Sequence, residues 1–175
     1  MALLFYILQI LSPHSYAGMG LQPPVFTSER VYRIGNTEVS PEHYEAEKTC
    51  LARILLNEVS GETLKGKQLV AAVTINRVNS GKFPNTVCSN MKSTGQYSFY
   101  NPKSKHVDKQ RHYPVEYIHI AEQALAGKYD KLVSPSVLYF KVCSVDSEFF
   151  NKLVMVSRVK SHCFYKQRDR LIVDN

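Results

Sequence analysis

The sequence predicts a single α+β domain in which helices come first and a small antiparallel sheet follows. Two observations support this fold class. Apolar residues recur at helical spacing between residues 44 and 79 and again after Pro114, whereas the last third of the chain holds short, β-rich apolar runs. With 175 residues, 44% of them hydrophobic and 21% charged, the chain can bury one true core and is not of disordered composition.

The first seventeen residues have the pattern of a secretory signal peptide. An apolar run at residues 2–11 precedes Ser15-Tyr16-Ala17, which offers small residues at the two positions that a signal peptidase reads. Ten apolar residues span only ~15 Å as a helix, about half of a bilayer core, so we predict cleavage after Ala17 and no stable membrane insertion afterwards. No Lys or Arg precedes the run, and a buried N-terminal helix is the alternative.

The elements that follow are predicted in order along the chain. Residues 18–43 contain glycine and proline without periodicity and are interpreted as a linker or irregular arm. A domain at 44–166 then begins with one helix that stops at Gly61 and a second helix over residues 64–79. Residues 83–111 are irregular and cationic, and a third helix runs from Pro114 to Gly127. Strands are expected at 137–142, 153–159 and 162–166, and residues 167–175 form a tail.

Four cysteines remain after the predicted cleavage site: Cys50, Cys88, Cys143 and Cys163. An even count indicates an oxidising compartment and up to two disulfides, and all three connectivities stay open. Four buried thiols are the alternative. The chain has no Cys-x-x-Cys pair, so a structural zinc site has no support.

The net charge of +7 favours acidic partners, which include nucleic acid, anionic lipid and bacterial wall polymers. A basic surface that only keeps the protein soluble is an equal alternative.

The sequence lacks the signatures of several hydrolase classes. It has no Gly-x-Ser-x-Gly elbow, no phosphate loop and no histidine pair at the spacing of a zinc site. His162 and Cys163 are strand neighbours and therefore point to opposite faces, which excludes a dyad. Carboxylates remain as the candidate chemistry.

Glu58 is the carboxylate in the most unusual setting, at a helix end just before Ser60-Gly61. A glutamate that leans into an apolar cleft there has a raised pKa, as a general acid requires. Glu62, four residues on, would share its helix face about 6 Å away, so the two do not form an acid–nucleophile pair across one bond. By pattern alone, a solvated helix-end residue is the alternative for Glu58.

Five separated segments resemble the motifs of the SleB-type cell wall hydrolases, in order and at the expected spacing. They are Cys50–Glu62 with Leu-Ala before Asn57-Glu58-Val59-Ser60-Gly61-Glu62, Gly66–Val73 with Ile75–Val78, Phe83–Cys88, Gln96-Tyr97-Ser98-Phe99, and the late strands with Leu138-Tyr139-Phe140 and His162–Tyr165. The resemblance covers about residues 50–166. Departures are Ser60 for the usual Arg, Thr63 for Pro, Gly95 for a second Cys and Phe99 for Trp.

The resemblance implies a fold like that of lysozyme and the lytic transglycosylases, with Glu58 as the catalytic acid. The implied reaction is cleavage of the β-1,4 bond between N-acetylmuramic acid and N-acetylglucosamine, by hydrolysis or by transglycosylation. Candidate substrate-binding residues are Gln68, Gln96, Tyr97, Ser98, Phe99 and Tyr139. Packing inside the domain is the alternative for Gln68, for Asn76 and for each aromatic, and Glu62 with Arg77 is a candidate structural ion pair.

The sequence therefore predicts an exported, monomeric, periplasmic or extracellular enzyme that acts on peptidoglycan without metal or organic cofactor. One alternative is a non-catalytic peptidoglycan-binding module. The other is a nucleic-acid binder that uses the basic residues Lys92, Lys103, Lys105, Lys109 and Arg111, and export of the mature chain would leave it no ligand; we expect no nucleic-acid partner.

Overall fold

The computed structural model describes residues 31–34, 37–93, 95–97, 99–100 and 112–168. The predicted signal peptide lies outside these ranges, and so do residues 101–111 of the predicted cationic segment. The described elements are, in chain order, β1 (Tyr32–Ile34), β2 (Thr37–Val39), α1 (Pro41–Glu58), α2 (Leu64–Asn79), α3 (Val87–Lys92), α4 (Val115–Leu125), β3 (Val137–Val142), α5 (Glu148–Asn151), β4 (Val154–Val159) and β5 (His162–Lys166).

Helix α2 is the central element and packs against α1, α3, α4 and β3. Leu69, Ala72 and Val73 on one side of the helix are buried, but so are Val70 and Ala71 on its other sides. A helix that is covered all round shows no amphipathic pattern, because it has no solvated face. Its ends agree with the prediction. The Thr63 side chain accepts a hydrogen bond from the Gly66 N–H and so caps the first turn.

Besides the four-residue helix α5, two features are absent from the sequence prediction. The first is the antiparallel hairpin β1–β2, within the segment interpreted as an irregular arm; its three-residue strands are too short to show a period of two. The second is α3, in the segment predicted to be irregular. Its first N–H groups, of Val87 and Cys88, donate to the buried carboxylate of Glu47 on α1, over 2.5 and 3.4 Å. A negative charge at a helix N-terminus stabilises the helix, and here it comes from 40 residues away.

The three-stranded sheet has the order β3-β5-β4, and both pairings are antiparallel. Central strand β5 starts at His162 and is buried over four residues, which brings that histidine to the inner end of the sheet. Disulfides join Cys50 to Cys88 and Cys143 to Cys163, so the first ties α1 to α3 and the second ties the end of β3 to β5. None of the helices in the described ranges combines the length and apolarity that a membrane crossing needs.

Candidate active site

The site is organised around Glu58, the last residue of α1. The helix stops there because the chain turns at Ser60-Gly61. The Val59 N–H makes the last helical bond, to the Leu55 carbonyl, and the Glu62 N–H then donates to the Val59 carbonyl over 3.1 Å. Leu55 and Val59 are both buried, so the end of the helix is anchored in the core and Glu58 has a fixed starting point.

The carboxyl of Glu58 is half-buried, and its Oε1 atom is fully buried without a hydrogen-bond partner among the described residues. Burial raises the pKa of Glu58, because the charged form loses solvation, while the nearby positive charges of His162 and Arg77 act in the opposite direction. Burial wins. The carboxyl therefore keeps its proton at a pH at which an ordinary glutamate has lost it.

One oxygen of Glu62, Oε1, is occupied by structural partners, whereas Oε2 is buried without a hydrogen-bond partner among the described residues. The Oε1 atom accepts hydrogen bonds from the Ser161 N–H at 3.1 Å, from the Ser161 hydroxyl, and from His162 Nδ1 at 2.8 Å. Burial alone would raise the pKa of Glu62, but the bonds from Ser161 and His162 outweigh it and lower that pKa. The predicted pairing of Glu62 with Arg77 was wrong, since Glu62 pairs with His162 instead.

Arg77 is buried in a cage of aromatic rings. Its guanidinium carbon lies 5.1 Å from the ring centroid of Phe83, 5.5 Å from Tyr97 and 5.2 Å from Phe140. The Nε–H donates to the Leu138 carbonyl over 2.7 Å. Arginine suits such a place, because its planar and weakly hydrated head stacks on rings while its N–H groups still donate. A permanent positive charge is thus fixed near Glu58.

The predicted aromatic candidates occupy different environments. Tyr97 is only 2% exposed and belongs to the core, which is the packing alternative for that residue. Phe99 is partly buried, 5.8 Å from the Tyr97 ring, and the Arg53 guanidinium lies over it at 5.6 Å. Tyr139 is partly exposed and makes edge contacts with Phe83 and Phe149. Phe99 and Tyr139 therefore keep ring surface for a ligand.

The polar candidates also separate. Asn76 donates from Nδ2 to the carbonyls of Ser134 and Val137, at 3.0 and 3.2 Å, so it links α2 to β3 as an internal packing residue. Gln68 and Gln96 are half-buried. Ser98 lies outside the described residues. Of the basic residues of the nucleic-acid alternative, only Lys92 is described; it is exposed in the last turn of α3.

Within the described ranges, no three His, Cys, Asp or Glu side chains come together in a way that would hold a metal ion.

A family model described as cell wall hydrolase matches residues 61–165, more than half of the chain. The chain belongs to the cell wall hydrolase family. It is therefore an enzyme of the class that degrades peptidoglycan. The match begins just after Glu58, so the assignment of the catalytic acid does not follow from it. No curated protein sequence matches the chain.

The fold is similar to two solved structures of cell wall enzymes. One is the catalytic domain of the Bacillus cereus SleB protein, 22% identical, with a TM-score of 0.57 over 70% of this chain and 91% of that one. The other is the catalytic domain of the germination-specific lytic transglycosylase SleB from Bacillus anthracis, also 22% identical, with a TM-score of 0.55 over 73% and 100%. These similarities confirm the predicted lysozyme-like α+β fold.

The sequence did not predict that Glu62 of this cell wall hydrolase pairs with His162. The two are 100 residues apart, and nothing local marks the pair. The family's substrate and the two disulfides agree on where the enzyme acts. Peptidoglycan lies outside the cytoplasmic membrane, and disulfides persist in oxidising compartments, so the enzyme is extracellular or periplasmic.

Proposed function

We propose that this enzyme cleaves peptidoglycan glycan strands at the β-1,4 bond between N-acetylmuramic acid and N-acetylglucosamine, with Glu58 as its single catalytic acid and base. The observation that carries the proposal is the state of the Glu58 carboxyl. It is half-buried at the end of α1, with one oxygen unpartnered among the described residues and a pKa raised by burial. Such a group holds its proton to a higher pH than an ordinary glutamate does and can deliver it to a leaving oxygen.

The reaction has two steps. Glu58 first donates its proton to the glycosidic oxygen while the bond between that oxygen and the muramyl C1 breaks, which leaves positive charge on the sugar ring. The N-acetyl carbonyl of the same sugar stabilises this charge from within the substrate. The Glu58 carboxylate then takes a proton from the acceptor that bonds to C1. Water as acceptor gives a reducing end, and the sugar's own C6 hydroxyl gives a 1,6-anhydro end.

One carboxylate suffices in this scheme, and the state of Glu62 supports it. Glycosidases with two carboxylates place them on opposite sides of the scissile bond. Glu62 is buried and directs its Oε1 at Ser161 and His162. A carboxylate with these partners supports the protein side of the site and is a poor nucleophile.

The substrate side of the proposal rests on exposed ring surface and charge. Phe99 and Tyr139 offer partly exposed faces of the kind that pyranose rings pack against. Gln68, Gln96 and Ser98 supply hydrogen bonds to acetamido groups. The net charge of +7 concentrates the enzyme, as a monomer, near anionic wall polymers. Export by a signal peptide at residues 1–17 delivers the catalytic domain at 44–166 to this substrate.

Lysis of purified sacculi by wild type and by Glu58→Gln tests the proposal. Glutamine keeps the size of the side chain and cannot deliver a proton. We expect turbidity loss with wild type and at least a ~100-fold slower rate with Glu58→Gln, the usual contribution of a general acid. Both proteins should pellet with sacculi. Glu148→Gln, at an exposed glutamate on α5, is the matched control and should lyse like wild type.

Two results would overturn the proposal. If wild type pellets with sacculi but never clears them, the chain is a binding module. If Glu58→Gln lyses at the wild-type rate, another group is the acid.

A further inference from the structure

The turn that follows Glu58 is clamped to the turn between β4 and β5. Three contacts make the clamp, and they come from consecutive residues of the second turn. The Lys160 ammonium donates to the Gly61 carbonyl, Ser161 donates to Glu62 from its N–H and its hydroxyl, and His162 Nδ1 lies 2.8 Å from Glu62 Oε1. The start of β5 is thereby fixed beside the end of α1.

The clamp is rigid because its central pair is enclosed. The side chains of Glu62 and His162 are 2% and 7% exposed. On the other side of Glu62 stands the backbone of α2, where a Cβ on Gly66 would lie 3.0 Å from Glu62 Oε2. A buried carboxylate held on several sides leaves its histidine partner little freedom to rotate.

The contact also fixes one feature of the imidazole. A carboxylate only accepts hydrogen bonds, so His162 Nδ1 carries a proton in this contact. Phe140 on β3 packs near the ring, with centroids 6.2 Å apart, and also flanks the guanidinium of Arg77. The positive charges that act on Glu58 are those of His162 on β5 and Arg77 on α2, and His162 is itself hydrogen-bonded to Glu62 in the turn.

We propose that His162 is a positioning residue for Glu58: Glu62 and Ser161 hold its ring beside the end of α1, where its positive charge balances the carboxylate that Glu58 becomes after proton transfer. The inference rests on the proposed role of Glu58. That role needs both halves of a proton cycle, because Glu58 must give its proton up and then take one back. Burial makes it harder for Glu58 to give up its proton, because the carboxylate that remains is poorly solvated. A nearby cation of the protein offsets this cost.

Arg77 and His162 have different parts in this arrangement. Arg77 is permanently charged, whereas an imidazole can gain or lose its charge in the pH range of most envelopes. Replacing His162 therefore tests the effect of its charge while the charge of Arg77 stays in place. Loss of a positive charge near Glu58 raises the pKa of Glu58, so the carboxyl stays protonated to higher pH and the alkaline limb of the rate profile moves up.

His162→Asn is the decisive variant, because the asparagine Nδ2–H occupies the place of Nδ1–H and keeps the bond to Glu62 while the ring charge is lost. We expect a rate at the optimum lower by about tenfold and an alkaline limb shifted up by about one pH unit, which is the scale of one nearby charge. Binding to sacculi should stay within about twofold of wild type. His119→Asn, at an exposed histidine on α4, is the matched control and should reproduce the wild-type profile.

If His162→Asn is folded and active and the alkaline limb of its pH–rate profile coincides with that of wild type, the inference is overturned. If this variant shows no cooperative unfolding transition, a carbon-13 titration of the Glu58 carboxyl in wild type decides instead. We expect more than one step, as for a carboxyl coupled to a neighbouring charged group; a single step would overturn the inference. Glu58→Gln, assayed in parallel, separates the two proposals. If Glu58→Gln is active, the proposed acid is wrong. If it is inactive while His162→Asn keeps the wild-type pH profile, only the positioning role of His162 fails.

Discussion

Arg77 donates a hydrogen bond from Nη1 to the hydroxyl of Tyr97 over 3.1 Å, inside the core. Together with the Nε–H bond to Leu138, this contact joins α2, the segment after α3, and β3. Lysine lacks the planar fork that places donors at two separate nitrogens, and its ammonium group does not stack between rings as a guanidinium does. We expect Arg77→Lys to lower the free energy of unfolding by about 2–3 kcal/mol, because it leaves buried acceptors without donors.

Urea unfolding checks the Arg77 prediction. Arg33→Lys is the control, since Arg33 is 65% exposed in the hairpin and its ion pair with Glu38 is 3.9 Å long; it should change stability by less than about 0.5 kcal/mol. Equal effects of the two variants would mean that the aromatic cage contributes nothing to stability.

Glu58→Gln should stabilise the protein at neutral pH. The pKa of Glu58 is raised in the folded state, so the stability linked to this group is fully present below its unfolded pKa and is lost as pH rises through the folded pKa. At pH 7 the ionised carboxylate is therefore a cost that glutamine does not have. We expect Glu58→Gln to melt at a higher temperature than wild type at pH 7.

The same difference should shrink as pH falls towards 4, where the carboxyl is protonated in both states. Differential scanning calorimetry across pH 4–8 would reveal the trend. A melting temperature that is lower than wild type at pH 7, or a difference that does not vary with pH, would contradict the raised pKa.

The local signals in the sequence predicted much of the helical layer. The bounds of α2 and the end of α1 at Glu58 follow from Thr63, which caps α2, and from the turn at Ser60-Gly61, both visible within a few residues. The α+β class followed from the change in period along the chain. These features depend on neighbours in sequence, and pattern is sufficient for them.

The features that the sequence could not predict depend on partners far along the chain. Helix α3 forms on the carboxylate of Glu47, and the side chain that holds Glu62 comes from the last strand. The disulfide pairing was left open among three connectivities for the same reason. Tyr97 was a candidate for the sugar groove because an aromatic side chain by itself does not indicate whether its ring faces a ligand or Arg77.

Gly66→Ala should destabilise the enzyme although alanine is the better helix former. The new Cβ would stand 3.0 Å from Glu62 Oε2 and 3.1 Å from Glu62 Cβ, and Glu62 cannot retreat because Ser161 and His162 hold it. We expect a loss of about 1–3 kcal/mol from overpacking against a helix-propensity gain of about 1 kcal/mol.

A double-mutant cycle isolates this clash. A Glu62→Ala background removes Oε2 and Cγ and leaves only the Cβ contact at 3.1 Å, so Gly66→Ala should cost less stability there than in wild type. Glu62→Ala itself should lower the free energy of unfolding by about 3–5 kcal/mol, because it leaves the buried His162 without its partner. Additive effects of the two substitutions would rule out the contact.

The two disulfides should differ in their effect on activity. By loop entropy, the bond Cys50–Cys88, with a separation of 38, contributes about 4 kcal/mol, and Cys143–Cys163, with a separation of 20, about 3 kcal/mol. Only Cys163 adjoins His162 on β5. We compare the double variant Cys143→Ser/Cys163→Ser with the double variant Cys50→Ser/Cys88→Ser at a temperature where both are folded. We expect the first to lose less stability than the second but more of its lytic rate. The reverse order of rates would contradict the placement of His162 in the site.

Mass spectrometry of muropeptides from digested sacculi tests the role of Glu58 most directly, because it identifies the bond that breaks. The account predicts that wild type releases fragments with new muramyl ends, either reducing or 1,6-anhydro, which differ by one water, and that Glu58→Gln releases none above background. Intact glycan strands with cleaved peptides, or the same muramyl ends from Glu58→Gln, would contradict it.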